Sequence, residues 1–189
     1  MSFYPRDLGF FLAPRMRVGL YGGSFDPAHE GHRHVAEHAR RQLGLDKVIW
    51  MVSPQNPLKR GKGGPSMSIE KRMERARRIA KGPSMVVSDV EAQLGSPYTI
   101  DTVRFFQTRF PGVRFFWIMG SDSLSKFHRW KDWRAIAALI PIAIVYRPHH
   151  LARARLSPAG RAIPVIEVHA PLNAASSTDI RLRAKLGFS

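Results

Sequence analysis

The sequence predicts an α/β fold, a doubly wound parallel sheet with helices on both faces. Three observations lead there. Short apolar runs alternate with amphipathic stretches along nearly the whole chain. The runs, such as "VIWMV" at 48–52, are apolar throughout rather than at every second residue, which is the pattern of strands covered on both faces. A turn rich in glycine and proline directly follows the first run, at the carboxyl end of a strand, where such folds hold their ligands.

The elements follow in order. Residues 1–16 read as a loosely attached leader, with Pro14 breaking the apolar run "LGFFLAP", and 17–189 as a single domain. "VGLY" at 18–21 is a strand. A helix over 31–43 puts Val35, Ala36, Ala39 and Leu43 on one face. After the strand at 48–52 comes "SPQNPLKRGKGGPS", a loop by its Pro and Gly content. Ile69, Met73, Ala76 and Ala80 line a helix that Gly82-Pro83 ends. "MVVS" at 85–88 is the third strand. Ser96-Pro97 reads as the N-cap and first-turn proline of a helix with Ile100, Val103, Phe106 and Phe110 inside. "VRFFWIMG" at 113–120 is a strand, followed by a helical stretch carrying Leu124, Phe127, Trp130 and Trp133. Strands at 141–146 and 163–169 and a helix at 176–186 complete the pattern.

Composition narrows the function. The chain has 189 residues, 44% of them hydrophobic, enough for one domain with a sizeable core. It has no cysteine, which excludes disulfides and thiolate metal sites. The later apolar run "AIAALIPIAIVY" carries Pro141 and is shorter than the ~20 residues that span a bilayer. A soluble, cytoplasmic protein with no membrane partner is expected. The net charge of +16 suits either nucleic acid or small polyphosphates. The basic residues are scattered, with no long block interleaved with aromatics, which favours an anionic small substrate over nucleic acid.

The chemistry concentrates in "YGGSFDPAHEGH", 21–32. Gly22 and Gly23, lacking Cβ atoms, are expected to admit a close ligand and to take positive φ. Asp26-Pro27 fixes a turn. The helix that starts near Glu30 offers free N–H groups and the positive end of its dipole to a phosphate. His29 and His32, three apart, can face the same way and donate N–H groups to phosphate oxygens. A metal site would need a third ligand at suitable spacing, and none is obvious. Ser24 as nucleophile would need an elbow motif and a triad, and has neither. The dinucleotide fingerprint G-x-G-x-x-G is also missing after the first strand. Donors to phosphate, with no covalent intermediate, explain these residues best.

"GGSFDPAHEGH" resembles the signature of the nucleotidyltransferase superfamily with the H-x-G-H motif, which has a Rossmann-like fold. The resemblance implies transfer of an adenylyl or related group from a nucleoside triphosphate with release of pyrophosphate. It implies His29 and His32 as catalytic residues and Gly22, Gly23, Ser24 and Phe25 around the phosphates. A second segment, "AASSTDIRLRAKLG", is similar to that family's I-S-S-T-x-I-R signature, with Ala175 in place of isoleucine. Read physically, Ser176 and Ser177 cap the last helix, Thr178 sits in its first turn, and this helix start is a second anion site. Arg181, four residues after Ser177, can grip a phosphate bidentately and joins the catalytic candidates. In "SPQNPLK", Lys59 can reach the triphosphate as a point charge; Leu58 stands where family members often have histidine.

"SPYTIDTV" and "WIMGSDSLSKFHRWKDW" resemble the nicotinate-nucleotide adenylyltransferase branch of the superfamily. That branch joins nicotinate mononucleotide to ATP, giving deamido-NAD (nicotinate adenine dinucleotide) and pyrophosphate in NAD biosynthesis. Leu124 and Trp133 read as core. Trp130 is expected to be exposed and to stack on the pyridine ring. Backbone near Tyr98-Thr99 and Trp130 would take the nicotinate carboxylate, and Asp122 would orient ribose hydroxyls. Mg²⁺ is expected to arrive with ATP, without a protein cage. "YRPHH" departs from the usual R-P-G form, so Arg147 is carried over only weakly. Two alternatives stay open. One is an adenylyltransferase of the same fold acting on nicotinamide mononucleotide or another small phosphate. The other is a basic nucleic-acid-binding module without catalysis. The sequence leaves the oligomeric state open, a homo-oligomer included.

Overall fold

The structure is a computed structural model that describes residues 8–54, 67–146 and 151–171. Its centre is a six-stranded sheet built from β1 (Arg17–Gly23), β2 (Lys47–Val52), β3 (Met85–Ser88), β4 (Arg114–Gly120), β5 (Ile142–Val145) and β6 (Ile166–Val168). The spatial order is β3-β2-β1-β4-β5-β6 and every pairing is parallel. This is the doubly wound arrangement expected from the sequence. The order reverses between β1 and β4, and the crevice outside their carboxyl ends is where such sheets bind ligands.

Alternation along the strands divides the core in two. Val18 and Leu20 of β1, Ile49 and Met51 of β2 and Phe115, Trp117 and Met119 of β4 face one side. They pack with α4 (Thr99–Arg109), α5 (Ser121–Phe127) and α6 (Trp133–Leu139). Tyr21, Val48, Trp50, Val52, Phe116 and Ile118 face the other, under α1 (Glu30–Gln42) and α2 (Ile69–Ile79). Both faces of the sheet are therefore apolar, which is why the strands read as unbroken apolar runs.

Several expectations change in detail. Residues 8–16, assigned to the leader, lie against the core: Leu12 is buried, Leu8, Phe10 and Met16 pack on the same cluster, and Arg15 N–H donates to the Gly112 carbonyl. The helical stretch after β4 is two short helices, α5 and α6, separated by a turn in which Asp132 takes φ +51°. Ser96 is not the N-cap of α4. Tyr98 holds that place, and the Ser96 hydroxyl accepts from Tyr98 N–H while donating to Asp101. Three short helices were not anticipated: α3 (Val90–Gln93), α7 (Leu151–Arg155) and α8 (Pro158–Ala162), the last capped by Ser157 with Pro158 in its first turn. α8 replaces no strand, but β6 is shorter than the 163–169 run. The helix at 176–186 lies outside the described residues. No helix among the described residues is long and apolar enough to cross a membrane.

Candidate active site

β1 delivers the glycine turn to the carboxyl edge of the sheet, and α1 starts six residues beyond Ser24. The start of α1 is unusual in being capped by its own histidines. His29 is the N-cap, in extended conformation, and its Nδ1 accepts the Gly31 N–H at 3.1 Å. His32 Nδ1 accepts the His29 N–H at 3.2 Å. The two ring centroids are 3.9 Å apart. Each Nδ1 is thus an acceptor, so in the neutral rings the proton resides on Nε2. Both imidazoles are held as Nε2–H donors of fixed orientation. The cost is that two backbone donors at the helix start, expected to serve a phosphate directly, are taken by the rings.

Aromatic packing fixes the rest of His32. Its ring meets Phe25 edge-on at 5.0 Å, Tyr21 at 6.3 Å and Trp50 at 6.4 Å. Phe25 stacks on the fully buried Trp50 at 5.2 Å. Neither Gly22 nor Gly23 takes positive φ; Phe25 does, at +44°. What the glycines supply is room beside two aromatic rings. A Cβ on Gly22 would sit 3.2 Å from the Trp117 indole, and one on Gly23 would sit 3.2 Å from the Phe25 ring. The strained residue of the turn is therefore an aromatic one, Phe25, held in place by burial of its side chain.

Of the remaining assigned residues, the described ones lie in helix starts and a turn. Asp122 lies in the first turn of α5, just past the end of β4. Tyr98 and Thr99 form the start of α4, which has no side-chain cap. Lys131 Nζ lies 4.4 Å from the Tyr98 ring centroid, tying the turn after α5 to that helix start. Trp130 is half-buried, not fully exposed: it meets Trp117 edge-on at 6.1 Å and Phe127 at 5.1 Å. Trp117 thus links Trp130 to Gly22. Leu124 is buried in the core as expected, and Trp133 packs half-buried on Phe127 at 6.1 Å. Lys59, Ser177, Thr178 and Arg181, like Arg147, lie outside the described residues.

Two charged residues beneath the turn were not anticipated. Arg72 of α2 is 2% exposed, yet its guanidinium donates to four carbonyls: Ser24 and Ser53, each at 2.7 Å, Met67 at 3.2 Å and Pro54 at 3.3 Å. Burial lowers its pKa, while the Asp26 and Glu70 carboxylates act against that. Glu91 of α3 is also buried, and it accepts the Ser53 hydroxyl at 2.5 Å. Burial pushes its carboxyl up to about 7, against the opposing pull of Ser53 and Thr102. The one sequence signal for Arg72 was its place four residues before Ala76, on the inner face of α2. Glu91 had none.

Comparison with known proteins gives the family. A cytidylyltransferase-like family model matches residues 20–183. A probable nicotinate-nucleotide adenylyltransferase of Caulobacter sp. (strain K31) is 49% identical over 191 residues, covering 91% of this chain and 100% of the relative. One of Parvibaculum lavamentivorans is 49% identical over 152 residues, covering 80% of this chain and 75% of the relative. The fold is also that of Plasmodium falciparum nicotinic acid mononucleotide adenylyltransferase complexed with NaAD, with a TM-score of 0.71 at 16% identity, covering 89% of this chain and 83% of that one. A chain matched this far, by both family model and relatives, belongs to the cytidylyltransferase-like family and, within it, to the nicotinate-nucleotide adenylyltransferases.

Proposed function

We propose that the protein transfers the adenylyl group of ATP to nicotinate mononucleotide, giving deamido-NAD and pyrophosphate, as a step of NAD biosynthesis. An oxygen of the mononucleotide phosphate attacks the α-phosphorus of ATP in line. The bond from the α-phosphorus to the bridging oxygen breaks, and pyrophosphate leaves with that electron pair. The attacking phosphate is already ionised, so no side chain has to act as nucleophile or base. Catalysis is positioning and stabilisation of developing charge.

The observation that carries this reading is the mutual capping of His29 and His32, which fixes an Nε2–H on each ring beside the glycine turn. Those donors serve the α- and β-phosphates. Arg181, with Ser177 and Thr178 of the same segment, takes the β- and γ-phosphates, and Lys59 adds a positive charge to the triphosphate. Trp130 stacks on the pyridine ring through the face left by its edge-on packing, backbone at Tyr98 and Thr99 holds the nicotinate carboxylate, and Asp122 orients ribose hydroxyls. Among the described residues no group of three or more His, Asp or Glu is placed to hold a metal ion. Mg²⁺ would come with ATP, on its phosphate oxygens. Substrates of this kind and a chain without cysteine fit a cytoplasmic setting.

Pyrophosphate release with ATP and each acceptor in turn tests the reading. Nicotinate mononucleotide should be the preferred acceptor. Preference for nicotinamide mononucleotide would reassign the substrate, and no release with any mononucleotide would overturn the activity.

A further inference from the structure

Ser53, the residue just past β2, is held from three sides. Its N–H donates to the Gly23 carbonyl at 2.9 Å, which couples it to the end of β1. Its carbonyl accepts from Arg72, and its hydroxyl donates to Glu91. The same Arg72 nitrogen, Nη1, also donates to the Ser24 carbonyl, inside the glycine turn. Glu91 lies under the turn as well: its Oε1 would be 3.8 Å from a Cβ on Gly22. One buried cation and one buried carboxyl thus both grip a single serine, and that serine and the cation together hold two consecutive carbonyls of the turn, those of Gly23 and Ser24.

Burying a guanidinium and a carboxyl that do not pair with each other is costly, and a packed apolar pair would stabilise the fold at least as well. Fixed geometry at the turn is what the charged pair supplies instead. The turn leads through the strained Phe25 to His29 and His32, so a displacement of Ser24 moves both imidazoles.

We propose that Arg72 and Glu91 are positioning residues for adenylyl transfer, acting through Ser53 to hold the glycine turn and its two histidines at the reacting phosphates. This rests on the reading that His32 serves the transfer. Arg72 cannot be replaced by lysine in this role, because one ammonium cannot reach four carbonyls as the guanidinium fork does.

The test is a double-mutant cycle on pyrophosphate release, with the thermal midpoint of every variant measured alongside. Arg72→Lys should lower kcat about 10- to 100-fold, the scale of a misplacement near 1 Å. Its KM for nicotinate mononucleotide should stay within about twofold, since Tyr98, Thr99 and Trp130 are untouched. In a His32→Ala background the same substitution should cost less than about threefold, because the group it positions is already gone. Should Arg72→Lys fail to fold, Ser53→Ala removes only the hydroxyl held by Glu91; it should lower kcat about 3- to 10-fold with the same loss of additivity. Penalties that multiply fully in the His32→Ala background would overturn the proposal while leaving the role of His32 intact. A His32→Ala enzyme with full activity would instead overturn the site reading on which the proposal rests.

Discussion

His29 and His32 cap one another's helix start. The Nδ1 of His32 accepts the backbone N–H of His29, and the Nδ1 of His29 accepts the N–H of Gly31, with the rings 3.9 Å apart. The backbone thereby decides which nitrogen of each ring carries the proton. Histidine in this place does more than a serine cap would: it caps the helix start and projects a donor of known tautomer.

This tautomer can be measured directly. In ¹⁵N spectra of the histidine side chains at neutral pH, His29 and His32 should both show a protonated Nε2 and an unprotonated Nδ1. A ring with its proton on Nδ1 would contradict the capping arrangement.

Trp130 should govern the acceptor rather than ATP. Its edge-on contacts with Trp117 and Phe127 fix the plane of the indole. Trp130→Ala should raise the KM for nicotinate mononucleotide about tenfold, the scale of one lost stack of roughly 1–3 kcal/mol. The KM for ATP should change much less. A larger effect on ATP would rule out the stacking role.

Glu91 should leave a mark on stability. Burial pushes its folded pKa up to about 7, above the 4.5 of a solvated glutamate. Between those values the folded chain keeps a proton that the unfolded chain has released, so stability falls as pH rises through that window and levels off above it. The loss is on the order of 3 kcal/mol. Glu91→Gln cannot ionise. Denaturation of both proteins between about pH 5 and pH 8 should show wild type losing stability relative to the variant as pH rises. Parallel curves would show that the Glu91 carboxyl is not perturbed.

The strands and the histidine pair were legible in the sequence for one reason: each is encoded locally. β1, β2 and β4 are unbroken apolar runs, and His29, Gly31 and His32 sit within four residues. What failed depends on partners distant in sequence. Ser96 looked like an N-cap, but Asp101 engages its hydroxyl and the helix begins three residues later, at Thr99. The glycines looked like positive-φ residues, but Trp117 and Phe25 explain their missing side chains. Arg72 and Glu91 were not singled out, since burial of a charge is decided by four carbonyls or one hydroxyl brought in from other elements. α3, α7 and α8, at four or five residues each, are too short to show a helical period.

The central claim is that the imidazole of His32 donates to phosphate oxygens as charge builds at the α-phosphorus. Single-turnover formation of deamido-NAD by His32→Ala, with ATP and nicotinate mononucleotide both saturating, tests it most directly. The account predicts a rate about 10²–10³-fold below wild type, the scale of losing one transition-state donor. A variant that turns over at the wild-type rate would contradict it.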